Sequence, residues 1–123
     1  MKKIIIDTNA LMAISELKID IFAEVDKVCD FPYQLAVLQG TLDELDKIMR
    51  EQSGKDRQAA KLAKALLLAK KVVVIAEKGN VDDILVEHSL KADLVLTQDQ
   101  GLKKRLRRPY LTIRQKKRVI MVL

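Results

Sequence analysis

Short apolar runs alternate along the chain with longer segments whose apolar residues recur every three or four positions. The short runs predict β-strands and the periodic segments predict helices. Strands are expected at residues 3–6, 35–38, 72–75 and 94–96, with edge strands at 110–113 and 119–122. Helices are expected at residues 11–17, 19–28, 41–52, 55–71, 81–90 and 102–106.

This order of elements predicts an α/β fold with a mostly parallel sheet covered by helices on both faces. Residues 72–75 are β-branched and uninterrupted, which is typical of a strand buried on both faces. We expect one domain over residues 1–123, because the chain contains no repeat, low-complexity tract or linker.

Four acidic residues are predicted to lie at the carboxyl ends of the strands, where ligands bind to parallel sheets. Asp7 directly follows the first strand, and Asp99 comes soon after strand 94–96. Glu44 and Asp82 are placed in the first turns of helices that follow strands. The sequence therefore predicts a carboxylate site at one end of the sheet.

Each of these acids also has a structural interpretation. Asp7 could cap the helix that follows it, although Thr8 and Asn9 are equally suited to do so. A turn is predicted at Gln39-Gly40-Thr41, with Thr41 as the N-cap of the next helix. Glu44 lies three residues after Thr41, the spacing of a capping box, and Asp82 could interact with a helix dipole. Asp99 lies in a polar turn. Function is favoured for Asp7 and slightly for Asp99 taken alone, the two interpretations are balanced for Glu44 and Asp82, and the joint placement of the four strengthens the case for a functional site.

Carboxylates gathered at one place repel one another, by roughly 4 kcal/mol per pair at 4 Å with an effective dielectric of 20. Either their pKa values rise or a hard cation neutralises them. The chain has one cysteine, Cys29, expected to be buried, and one histidine, His88. An all-oxygen site is thus expected, which suits Mg²⁺ or Mn²⁺.

The net charge of +6 is concentrated near the C-terminus. Residues 103–118 contain nine basic residues and no acid, whereas the rest of the chain has 14 basic and 17 acidic residues. A dense block of one sign favours binding to a polyanion such as nucleic acid. The four aromatic residues are too few to predict a base-stacking platform.

Four short motifs resemble those of the PIN domain family. They are Ile4-Ile5-Ile6-Asp7-Thr8-Asn9, Thr41-Leu42-Asp43-Glu44-Leu45, Val81-Asp82-Asp83-Ile84-Leu85 and Thr97-Gln98-Asp99. Their order and spacing together carry the resemblance, which spans about residues 3–108. The sequence departs from the family at Gln98, where asparagine is common and the amide would lie one methylene closer to the backbone.

The resemblance implies a PIN-like α/β/α sandwich and a ribonuclease that uses Mg²⁺ or Mn²⁺. It implies that Asp7, Glu44, Asp82 and Asp99 bind the metal and form the catalytic site. Asn9 and Thr97 would be supporting polar residues. Asp82 is preferred to Asp83 because Leu85 and Ser89 then match the family's apolar and small positions, but Asp83 stays a second choice.

The segment from Asp99 to Pro109 is similar to PIN endonucleases that mature small-subunit ribosomal RNA, whose archaeal relatives are often labelled as VapC-type toxins. We expect this segment to dock RNA through Lys103, Lys104, Arg105, Arg107 and Arg108. The resemblance further implies an antitoxin or a pre-ribosomal particle as partner, and a homodimer. No signal peptide or membrane span is predicted, so the expected location is cytoplasmic.

Three alternatives stay open at the level of sequence. A catalytically inactive PIN-like module would bind RNA or a protein without cutting it. A receiver-like domain with Asp7 as phosphoacceptor is disfavoured, because such an acceptor follows a central strand in mid-sequence. A nucleotide-binding domain is disfavoured by the absence of GxGxxG and GxxxxGK[ST] motifs.

Overall fold

The computed structural model describes residues 1–123 and contains one six-stranded sheet flanked by six helices. The strands are β1 (Lys2–Ile6), β2 (Tyr33–Leu38), β3 (Val73–Ile75), β4 (Leu94–Leu96), β5 (Tyr110–Arg114) and β6 (Arg118–Val122). The helices are α1 (Thr8–Glu16), α2 (Ile21–Val28), α3 (Gln39–Glu51), α4 (Gly54–Ala69), α5 (Val81–Leu90) and α6 (Gln100–Arg105). None of these helices combines the length and the hydropathy needed to cross a membrane.

The sheet has the strand order β3-β2-β1-β4-β5-β6, and only β6 runs antiparallel to its neighbour. Successive residues of β1 face opposite sides, as in any strand. Ile4 and Ile6 join the larger core, which includes residues of α1, α2 and α4, whereas Ile5 joins a smaller core with residues of α5 and α6. The predicted α/β architecture with helices on both faces of a mostly parallel sheet is confirmed.

Two predictions about strand position were wrong. Residues 72–75 do not form a strand buried on both faces, because β3 is at the edge of the sheet and Val74 is 43% exposed. Conversely, β5 is not an edge strand, since it pairs with both β4 and β6. Composition alone could not distinguish these cases, because the position of a strand depends on its order in the sheet.

The prediction that Thr41 caps a helix was also wrong. Helix α3 begins at Gln39, directly after β2, and Leu38 is its N-cap residue without a side-chain hydrogen bond. Gly40, which suggested a turn, is needed inside the helix because a Cβ atom there would lie 2.7 Å from Val81 Cγ2. The close packing of α3 against the start of α5 therefore explains the glycine.

Thr41 is fully buried in α3 and its hydroxyl has no hydrogen-bond partner. We expect Thr41→Val, which removes the hydroxyl and keeps the shape, to raise the free energy of unfolding by about 1 kcal/mol. Urea unfolding monitored by circular dichroism measures the change. The matched variant Thr97→Val should instead destabilise the protein, because the Thr97 hydroxyl is hydrogen bonded. A loss of stability in Thr41→Val would contradict the prediction.

The single cysteine and the single histidine are both buried, as expected for Cys29. His88 lies between two carboxylates, with Nε2 2.7 Å from Glu77 Oε1 and Nδ1 3.0 Å from Asp93 Oδ2. Asp93 Oδ1 also accepts the backbone N–H of Lys3 (3.3 Å). Because Lys3 lies near the start of β1 and Asp93 directly precedes β4, His88 supports the sheet at the end opposite to Asp7.

Candidate carboxylate site

Asp7 stands at the carboxyl end of the sheet, the end at which the parallel strands β1–β5 finish. Its backbone N–H donates to Leu96 O (2.9 Å), which holds it level with the end of β4. One carboxylate oxygen, Oδ1, accepts the N–H of Thr8 (2.9 Å), and the other, Oδ2, accepts the hydroxyl of Thr97 (2.7 Å). Asp7 is thus the N-cap of α1. This structural role fixes the direction of its carboxylate.

The Asp7 carboxyl group is buried, with only 7% of the residue exposed. Burial raises its pKa above the ordinary value of 3.8, and the charges of Asp82 and Glu44 raise it further. The hydrogen bonds from Thr97 and Thr8 act in the opposite direction but do not cancel the shift. Asp82 and Glu44 are therefore close enough to disfavour ionisation of Asp7.

Glu44 reaches the site from α3 through Thr8. The hydroxyl of Thr8 donates to Glu44 Oε2 (3.3 Å), while the backbone N–H of the same residue donates to Asp7. Because α3 begins at Gln39, Glu44 lies in the second turn rather than the first. The capping-box explanation of Glu44 is thereby removed, and Thr8 is a bridging residue that the sequence showed only as part of the Asp7-Thr8-Asn9 turn.

The adjacent acids Asp82 and Asp83 have different environments at the start of α5. Asn80 caps this helix by accepting the N–H of Asp83 (3.0 Å). The Asp83 side chain forms an ion pair with Arg105 of α6. Asp82 forms no ion pair, and its charge acts on Asp7. This difference supports Asp82 as the member of the site.

Asp99 is connected to Asp7 through Thr97. The backbone N–H of Asp99 donates to Thr97 Oγ1 (3.1 Å), and the same hydroxyl donates to Asp7. The Asp99 side chain is the N-cap of α6, since Oδ1 accepts the N–H of Leu102 (2.9 Å). One carboxylate oxygen of Asp99 is left without such a bond.

Asn9 secures the segment that carries Thr97. Its Oδ1 accepts the backbone N–H of Gln98 (3.0 Å) and lies 3.4 Å from Thr97 Oγ1. The side-chain amide of Gln98 contacts the backbone oxygen of Asn9 (3.4 Å). Asn9 and Thr97 therefore join the ends of β1 and β4, which fits the supporting role that the resemblance implied.

None of the four predicted metal ligands, Asp7, Glu44, Asp82 and Asp99, takes part in any of the five ion pairs of the chain. At the same time, no three acidic, histidine or cysteine side chains lie close enough together to enclose a metal ion by themselves. Magnesium is commonly bound by one or two carboxylates together with waters and substrate phosphates. The oxygen donors present fit such an open site rather than an all-protein cage.

The predicted RNA-binding residues do not share one surface. Burial lowers the pKa of Lys103, and the charge of Asp99 beside it acts in the opposite direction. Lys104 is exposed on the same helix. Arg105 is paired with Asp83. Arg107 and Arg108 line a small cavity with Lys2 and Asp93 at the amino end of the sheet, opposite to Asp7.

A profile of the family described as "PIN like domain" matches residues 4–116. The chain belongs to the PIN domain family, as the four motifs predicted. Ribonuclease VapC4 of Methanocaldococcus jannaschii is 27% identical over 124 residues, covering 95% of this chain and 94% of that protein. The structure of the PIN domain endonuclease Utp24 matches with a TM-score of 0.75 at 23% identity, covering 97% of this chain and 90% of that one. The structural likeness shows the shared fold.

Proposed function

We propose that residues 1–123 form a single PIN-like domain that hydrolyses RNA as a divalent-metal-dependent endoribonuclease. The observation that carries the proposal is the buried Asp7 carboxylate, whose ionisation is opposed by Asp82 and Glu44 and which has no basic partner. A bound cation would relieve this repulsion. Similarity to a protein named a ribonuclease supports RNA as the substrate.

In the proposed site, Asp7, Glu44, Asp82 and Asp99 would hold Mg²⁺ or Mn²⁺ together with waters and phosphate oxygens of the RNA, because no three of these side chains could enclose an ion by themselves. Such an ion lowers the pKa of bound water and neutralises charge on a phosphodiester. Thr8 and Thr97 orient the Asp7 carboxylate through hydrogen bonds to its two oxygens. Asn9 holds the backbone of Gln98, and with it the position of Thr97 and Asp99.

The basic residues of and after α6 belong to the proposal as RNA contacts. Lys103 and Lys104 lie on the helix that Asp99 begins, so they are the members nearest to the acids. Arg105 is paired with Asp83 at the start of α5. Arg107 and Arg108 lie at the amino end of the sheet, and RNA that reached them would extend past the helix. Scarce aromatic residues favour recognition of the RNA backbone over base stacking.

The metal requirement is tested with purified protein, a labelled single-stranded RNA and either EDTA, Mg²⁺ or Mn²⁺. We expect cleavage only with a divalent ion, and an unfolding temperature that rises with the ion concentration because binding stabilises the folded state. Ca²⁺, which is larger and prefers more ligands, serves as the ion control. Full cleavage in EDTA would contradict metal dependence.

A second candidate function is an inactive PIN-like module that binds RNA or a protein. The observation in its favour is that no three potential ligands lie close enough together to hold a metal ion. Such a module would bind RNA in the same assay and leave it uncut with every ion. Its unfolding temperature would also not respond to Mg²⁺ or Mn²⁺.

Two biological roles fit the proposed activity: processing of ribosomal RNA, with a pre-ribosomal particle as partner, and a VapC-type toxin, with an antitoxin. Cleavage sites mapped on total RNA distinguish them, since processing requires one cut near the end of a ribosomal RNA. A reading frame for a small antitoxin beside the gene would favour the toxin. The expected cytoplasmic location belongs to the same proposal.

A homodimer is also part of the proposal. Leu62, Leu68 and Val74 are exposed apolar residues of α4 and β3. Leu68 and Val74 line a mostly apolar cavity on this face, and a subunit contact would remove such surface from water. Sedimentation of the purified protein measures the oligomeric state.

A further inference from the structure

The structure divides the basic block of residues 103–118 between the two ends of the sheet. Ile6 is level with Leu96, and Leu96 is level with Leu111, so Asp7 stands level with Thr112 on β5. Strand β5 continues two residues further, to Arg114, before the chain turns back into β6. The turn that joins β5 and β6 thus projects beyond the carboxyl end of the sheet, on the side of the acids.

We propose that this basic hairpin, Arg114–Arg118, docks the RNA backbone beside the carboxylate site, so that phosphates next to the scissile bond are held by its side chains. The inference rests on the proposed function, because it names the surface that presents the substrate to the same site. It moves the main RNA contact away from Arg107 and Arg108, which lie at the opposite end of the sheet.

The spacing of the strands gives the scale of the arrangement. β5 is two strands from β1, which corresponds to about 10 Å across the sheet at the usual strand separation. Arg114 lies two residues past the level of Asp7, or about 7 Å further along the strand direction. Lysine and arginine side chains on the hairpin can span such distances to phosphates of an RNA strand whose scissile bond lies over Asp7.

The hairpin cations are free to bind an external anion. Arg114, Lys116, Lys117 and Arg118 are all exposed, and none of their side chains forms a hydrogen bond or an ion pair. Glu24 accepts the backbone N–H of Val119 next to the hairpin (3.3 Å), and its other oxygen pairs with Lys27 (3.0 Å). By contrast, Arg105 is engaged by Asp83.

The hairpin also carries features that lower the stability of the fold. Arg114 and Arg118 are register partners, and like charges placed directly opposite each other are destabilising. Gln115 and Lys116 both have φ 56°, in the left-handed region that such turns usually fill with asparagine or glycine. Residues kept in such conformations cluster at functional sites. A bound polyanion such as RNA would offset the repulsion between these like charges.

The test compares RNA binding by a double hairpin variant and by a control with the same loss of charge. The hairpin variant is Lys116→Gln with Lys117→Gln, and the control is Lys71→Gln with Lys91→Gln. Lys71 and Lys91 are exposed and precede β3 and β4, so they lie at the amino end of the sheet. Binding of a labelled single-stranded RNA is measured in EDTA over a range of salt concentrations.

We expect the plot of log affinity against log salt concentration to become shallower by one to two units in the hairpin variant, because each phosphate contact contributes about 0.7 to the slope for single strands. The control should keep the slope of the unchanged protein. Thermal unfolding should show the hairpin variant to be as stable as the unchanged protein or slightly more so. This result would exclude misfolding as the cause of the shallower salt dependence in the hairpin variant.

The outcomes separate this inference from the proposed function. An equal change of slope in both variants, or no RNA binding by the unchanged protein, overturns the docking surface. RNA cleavage by the unchanged protein, combined with an unaltered slope in the hairpin variant, overturns the docking surface and leaves the nuclease in place. A salt slope that becomes shallower in the hairpin variant alone, without RNA cleavage by the unchanged protein, supports the docking surface and rejects the nuclease.

Discussion

Asp7→Asn is expected to lower the rate of RNA cleavage by about a thousandfold or more, which corresponds to a loss of about 4 kcal/mol of transition-state stabilisation. The change keeps the size of the side chain and its ability to cap α1 but removes the charge at the centre of the candidate site. Single-turnover cleavage of a labelled RNA with Mn²⁺ measures the effect. Binding to the same RNA in EDTA should change little, because Asp7 is buried and bears no positive charge. Cleavage at the rate of the unchanged protein would refute the assignment of the site.

The same variant should be more stable than the unchanged protein at neutral pH when no divalent ion is present. The pKa of Asp7 is raised in the folded protein, so folding favours the protonated form. The stabilising contribution of protonated Asp7 is therefore fully present below the pKa of this group in the unfolded chain, 3.8, and it is lost as the pH rises through the raised pKa of the folded protein. The advantage of Asp7→Asn in urea unfolding should accordingly shrink as the pH falls toward about 4. The prediction would be contradicted if the stability of Asp7→Asn relative to the unchanged protein were lower at neutral pH than at low pH.

Asp82→Asn and Asp83→Asn should have clearly different effects, although the two residues are adjacent. We expect Asp82→Asn to reduce cleavage by about a hundredfold, corresponding to about 2.7 kcal/mol, because it removes one of the carboxylates proposed to hold the metal ion. Asp83→Asn should stay within about threefold of the unchanged protein, or less than 1 kcal/mol. Its partner Arg105 and its own side chain are both largely exposed, and exposed ion pairs contribute little to stability.

The pair is measured under the same single-turnover conditions, with unfolding temperatures recorded for both variants. Each substitution removes one negative charge from the first turn of α5, so any effect on the helix dipole is matched. If Asp83→Asn lost the larger share of activity, the second choice made from the sequence would be the correct ligand. Equal, small effects would exclude the start of α5 from the catalytic machinery.

The elements of the fold could largely be located from local patterns. The strand at residues 94–96 and the helix at residues 81–90 have the predicted bounds, because a short apolar run and a helical period are properties of contiguous residues. The order of the strands could not be obtained in this way. It places β3 at the edge and β5 between two neighbours, so the wholly apolar β3 is partly exposed, whereas the first three residues of β5 are buried.

Local rules also failed where packing between distant segments decides the conformation. Gly40 and Thr41 were expected in a turn, but the approach of Val81 makes glycine necessary within α3. The bridge from Asp7 to Glu44 depends on Thr8, and its geometry exists only once α1 and α3 begin side by side. The ion pair of Arg105 with Asp83 likewise joins segments whose proximity no local pattern indicates.

The sequence by itself determined the family, the alternation of strands and helices, and the identity of the acids that follow the strands. These properties depend on residue types and on short spacings, which are written directly in the chain. The tertiary structure alone decided that Asp7 is buried beside the charges of Glu44 and Asp82, and that the basic block is split between opposite ends of the sheet. Both outcomes depend on which strands become neighbours and in what register, because register fixes which residues stand level across the sheet.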